Sequence, residues 1–204
     1  MSLDTSDLDA LRVAFAEDPR AHGIALAHAL NRVGLEAALT ATAEGYQTHD
    51  AYARESLAAL AAALAPPALT EGEAVEFAHA ASSAATGAIV AGTPWEAKPM
   101  LDVAVALVRA QGERVGSMSR PERGWEQPPH WAMTASAVFT ARGRVRAACY
   151  YAEGAVEDLT EALALNLQGT EADFARLVAM ASVAMNTLAL VVTGEEPDGG
   201  PAAW

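Results

Sequence analysis

Glu76-Phe77-Ala78-His79 sets a carboxylate and an imidazole three residues apart, a spacing that shares one face of a helix. Helical-bundle carboxylate proteins hold two iron or manganese ions with this motif used twice, plus a glutamate from each of two further helices. No second Glu-x-x-His occurs in the chain. Glu36, Glu44, Glu55, Glu153, Glu157 and Glu161 offer carboxylates at no particular spacing, and His28, His49 or His130 could complete a mononuclear centre from a distance. The pair Glu76 and His79 therefore carries one expectation, a metalloenzyme of oxidoreductase type. Set against it is a solvated helix face, since one such pair arises often by chance.

A second group of residues suits binding rather than catalysis. Residues 111–131 contain no alanine, yet gather Arg114, Arg120, Arg123, Trp125, His130 and Trp131. Arginine holds a carboxylate or phosphate with two parallel hydrogen bonds, and tryptophan supplies apolar area with one donor. Exposed loops with such side chains commonly contact ligands or partners. The bland account is a surface loop whose tryptophans fold back and whose arginines meet neighbouring acids.

Other chemistries find little footing. His22 and His28 are six apart and point to different sides of a helix. His49-Asp50 reads as a helix start, where an acid suits the dipole. Cys149 follows Arg146, which could lower a thiol pKa, but a lone cysteine on an alanine-rich helix reads as a small buried apolar residue. Neither a Gly-x-Ser-x-Gly elbow nor a phosphate-binding glycine loop is present. The sequence requires no cofactor.

The elements that position these residues follow from composition. Alanine supplies 50 of 204 residues, and alanine is the best helix former and a poor strand former. The reading is all-α: a single irregular bundle of about eight helices over 1–194, followed by a flexible acidic tail at 195–204. Asp18-Pro19 reads as an N-cap with proline in the first helical position. That helix is expected to stop near Gly34, with further helices over 35–44 and 49–65. Thr70-Glu71-Gly72-Glu73 matches a capping box, Thr93-Pro94-Trp95-Glu96 repeats it, and Thr170-Glu171-Ala172-Asp173 varies it. A long Arg/Trp/Pro loop precedes the last three helices. Residues 138–151 alternate enough to pass for a hairpin, but Trp131, Val138 and Val145 share a helical face and Arg142 and Arg146 another, so helix is preferred. Ala74, Ala78, Ala81, Ala85 and Ala88 permit close approach, inside the bundle or across a homodimer seam.

Charge narrows the partners. Thirteen Lys+Arg against 26 Asp+Glu leave −13, which repels nucleic acid and can steer a basic partner. The single cysteine rules out an internal disulfide, and the apolar stretches are too short for a membrane span. The expectation is a cytoplasmic, non-catalytic binding protein that contacts a small molecule or a protein through 111–131. A metalloenzyme at Glu76 and His79 is the alternative.

Overall fold

The computed structural model describes residues 5–114 and 129–166. They form helices α1 (Thr5–Glu17), α2 (Pro19–Ala38), α3 (Ala43–Ala63), α4 (Glu71–Val90), α5 (Pro94–Arg114), α6 (Pro129–Ala148) and α7 (Ala152–Asn166), with no strand among the described residues. The helix expected after Thr170 and the acidic tail lie outside them. The hairpin alternative over 138–151 is overturned: α6 runs to Ala148 and the chain then turns into α7.

Side-chain caps explain where α2, α3 and α4 begin. Asp18 accepts a hydrogen bond from Ala21 N at 3.0 Å, directly ahead of Pro19. Thr70 and Glu73 form the expected reciprocal capping box at the head of α4. The box expected at Thr93 does not form: Glu96 N takes the Thr93 carbonyl, and the Glu96 side chain accepts from Arg54 instead. The separate helix expected over 35–44 is also absent. Gly34 sits inside α2, where it faces His49 and Tyr52 of α3, so it marks close packing rather than an end.

Two joined core clusters fix the topology. The first holds Leu26 and Leu30 of α2, Leu60 of α3, Phe77 and Ala81 of α4, Val105 and Val108 of α5, and Val138 and Phe139 of α6. The second holds Leu57, Ala84, Ala85, Ala88, Ala97, Leu101, Ala141 and Val145. α4 and α6 therefore pass from the first cluster to the second, while α3 and α5 return. α2 runs beside α4, with Asn31 Nδ2 donating to Ala80 O at 2.9 Å. α3 descends against α2, with Ser56 Oγ donating to Ala27 O.

The α2–α3, α4–α5 and α6–α7 connections all fall at the same end of the bundle, beyond the second cluster. We call it the turn end. The alanine face of α4 is spent inside the molecule: Ala78, Ala81, Ala85 and Ala88 are buried against the surrounding helices. Gly87, on another side of α4, packs against α3, where a Cβ would stand 2.8 Å from the Ala53 methyl.

Candidate functional site

Glu76 and His79 lie on the exposed side of α4, as their spacing required. α2 brings His28 to them. Its Nε2 is 3.1 Å from the Glu76 backbone carbonyl and 3.1 Å from Glu76 Oε2, and the rings of His28 and His79 are 5.5 Å apart, tilted by 41°. A carbonyl oxygen only accepts, so Nε2 of His28 carries the proton of that bond and has no lone pair to give a metal. Among the described residues, no group of three or more His, Cys, Asp or Glu side chains is placed to hold a metal ion. The cluster pins α2 to α4, continued one turn further on by Asn31.

The arginine- and tryptophan-rich segment is reached only at its edges. Arg120, Arg123 and Trp125 lie outside the described residues, as do the side chains of Arg114, His130 and Trp131. Arg114 closes α5, and His130 and Trp131 open α6, so those positions belong to the end of the bundle opposite the turn end.

The turn end carries a different set of side chains. Seven large hydrophobic residues are exposed among the described residues, and six of them stand at or close to these three turns: Leu35, Leu39, Tyr46, Trp95, Tyr150 and Tyr151. Val13 of α1 is the exception. Each turn is closed by a residue in the left-handed region, Ala41 (φ 52°), Gly92 (φ 75°) and Tyr150 (φ 61°). At the α6–α7 turn, Tyr150 N donates to Ala147 O at 2.9 Å and Tyr151 N to Arg146 O at 2.8 Å. This is the Schellman pattern, whose left-handed position is usually glycine. Here a tyrosine occupies it, with a side chain that is 96% exposed. The conformation costs about 1 kcal/mol for a residue with a Cβ, and no burial of the ring offsets it.

An ionic cluster underpins that turn. Arg142 Nε and Nη2 grip Asp158 at 2.9 and 2.7 Å, and Arg142 Nη1 reaches Asp102 at 3.3 Å. Arg146 Nη1 contacts Asp158 Oδ2 at 3.0 Å and donates to the Gly154 carbonyl at 3.0 Å. Arg146 also lies over the Tyr151 ring at 5.6 Å. Asp158 is 2% exposed and Arg142 7%. Burial alone would pull the Arg142 guanidinium down, but Asp158 and then Asp102 outweigh it and move it up. Burial pushes the Asp102 carboxyl up, and Lys98 and Arg142 bring it net below its ordinary range. The two arginines that share a helical face four residues apart both point inward and meet on Asp158. Cys149, expected in the core, is exposed at the end of α6, because the chain leaves the helix there.

His49 departs from its expected capping role. It lies well inside α3, 8% exposed, between Gly34 and Gly87. Burial moves its imidazole below the ordinary value, with Asp50 opposing. Among the described residues, buried His49 Nδ1, Asp50 Oδ1 and Thr93 Oγ1 have no hydrogen-bond partner.

No family model, curated protein or solved structure matches the chain. The turn-end residues escaped the sequence reading because none forms a motif. The available signal was Leu35 and Leu39, four apart and off the line of Leu26, Leu30 and Val33.

Proposed function

We propose that the chain is a non-catalytic binding protein whose partner is a polypeptide docking on the turn end. The observation that supports this is the gathering of six of the seven exposed large hydrophobics at that end. Single exposed apolar residues need no explanation, but a concentration rimmed by polar residues is the usual mark of an interaction site. Tyrosine, tryptophan and leucine side chains supply the anchor area, with tyrosine and tryptophan enriched among binding hot spots. The ionic cluster of Arg142, Arg146 and Asp158 holds the α6–α7 turn in place, so Tyr150 and Tyr151 are presented on a fixed frame. Preorganisation of this kind lowers the ordering cost of association.

Peptide display against the immobilised full chain tests the reading. Peptides selected on the native chain should lose binding to the variant Leu39→Ser/Trp95→Ser/Tyr150→Ser, whose circular dichroism should match the parent because all three side chains are exposed. Selected peptides that bind the triple variant as well as the parent would refute the assignment.

A further inference from the structure

The charges of the turn end are sorted by their engagement. Its bases are largely spent internally: Arg54 on Asp50 at 3.1 Å and Glu96 at 3.2 Å, Lys98 on Asp102 at 2.8 Å, and Arg146 on Asp158 at 3.0 Å. Its exposed acids are not. Glu36 near the end of α2, Glu44 in the first turn of α3, and Glu153 and Glu157 in the first turns of α7 engage no ion pair among the described residues. Arg32 is the exposed base near them in the same condition. The surface therefore presents leucine and aromatic side chains beside uncompensated carboxylates.

We infer that the occupant of the turn end is a cationic amphipathic polypeptide segment, apolar on one face and rich in lysine or arginine on the other. This rests on the reading of the turn end as the docking surface, and it adds the chemistry of the partner. The apolar face meets Leu35, Leu39, Tyr46, Trp95 and Tyr150, and the basic face meets the four glutamates. A second copy of this chain is disfavoured as the occupant, because it brings the same unpaired acids and another −13. An anionic lipid surface or a nucleic acid is opposed by the same sign. Complementary charge at the rim raises the encounter rate and fixes orientation, while the apolar anchors set the lifetime.

The test uses the full-length chain labelled at Cys149, its sole and exposed cysteine, with an environment-sensitive dye. The probe is a synthetic Leu/Lys amphipathic helical peptide, with a Leu/Glu peptide of the same pattern as the control. Saturable binding of the lysine peptide and none of the glutamate peptide is expected. Glu44→Gln/Glu153→Gln should weaken it by about fivefold, two rim pairs at the usual size. Asp7→Asn/Glu17→Gln, the same change of net charge on exposed residues of α1, should leave it unchanged. Equal weakening by both double variants would mean that only net charge is sensed and would overturn the inference. So would the absence of lysine-peptide binding. If the glutamate variants have no effect while Leu39→Ser/Trp95→Ser/Tyr150→Ser abolishes binding, the docking surface stands and the cationic partner falls. If that triple variant has no effect either, both fall.

Discussion

Arg142 holds Asp158 with two parallel hydrogen bonds, Nε to Oδ2 at 2.9 Å and Nη2 to Oδ1 at 2.7 Å, in the interior between α6 and α7. Arg146 reaches the same carboxylate, so one buried acid answers two arginines. Removing one partner of a buried pair strands the other, at roughly 3–5 kcal/mol, whereas replacing both by apolar residues is close to neutral. Asp158→Ala should therefore lower the urea unfolding free energy by about 3 kcal/mol or more, since Asp102 and a carbonyl compensate only in part. Arg142→Met/Arg146→Met/Asp158→Leu should recover most of that loss. A triple variant no more stable than Asp158→Ala would show that packing around the cluster, not stranded charge, sets the cost.

Tyr150 makes an opposite prediction. Its backbone is left-handed, its ring is in water, and glycine is the residue that favours this position. Tyr150→Gly should raise the unfolding free energy by roughly 1 kcal/mol while weakening the partner. Ala41→Gly, at the corresponding left-handed residue of the α2–α3 turn, should stabilise by a similar amount. A loss of stability in Tyr150→Gly would mean that the exposed ring contributes to the fold.

The starts of α2 and α4 were legible because each depends on a few neighbouring residues, whereas α3 begins at Ala43, ahead of the start expected at His49. Asp18-Pro19 and Thr70-x-x-Glu73 each contain their own cap. Ends marked by glycine were misread, because Gly34 answers to His49 and Tyr52 on another helix and no local pattern encodes that neighbour. The same limit applies to the site. Glu76 and His79 announced themselves by spacing, but their pairing with His28 comes from α2 lying beside α4. Arg142 and Arg146 are neighbours on one helical face by spacing alone, but their shared partner Asp158 arrives only when α7 folds back. The turn end is an outcome of topology: three hairpin turns, far apart in sequence, fall at the same end of the bundle and bring these exposed tyrosines and leucines to that end.

Gly154 and Tyr151 are coupled sterically. A Cβ at position 154 would overlap the Tyr151 ring, which packs against the first turn of α7 and beneath Arg146. Gly154→Ala should displace that ring and cost about 1–2 kcal/mol as an overpacking change. In a Tyr151→Ala background the clash is gone, and the same substitution should stabilise by up to ~1 kcal/mol through helix propensity. The sign reversal, read from a double-mutant cycle of urea unfolding, is the test. Equal effects in the two backgrounds would refute the contact.

His49 sets the response to mild acid. Burial lowers its imidazole pKa from 6.5, and Asp50 opposes without reversing the shift. A base whose folded pKa is depressed binds its proton more readily in the unfolded chain. Its stabilising contribution is therefore complete above 6.5 and declines as pH falls from 6.5 toward the lower folded value. The depressed carboxyls act in a lower range: Asp102 below its ordinary 3.8, and Glu73, held by Arg20 and Thr70, between 4.5 and about 2. Unfolding free energy should thus begin to fall at mildly acidic pH, before carboxylates contribute. His49→Gln should flatten that first segment whatever it does to overall stability, and leave the lower one in place. NMR titration of the His49 imidazole should give a midpoint below 6.5; a midpoint at or above 6.5 would contradict the buried, neutral side chain between Gly34 and Gly87.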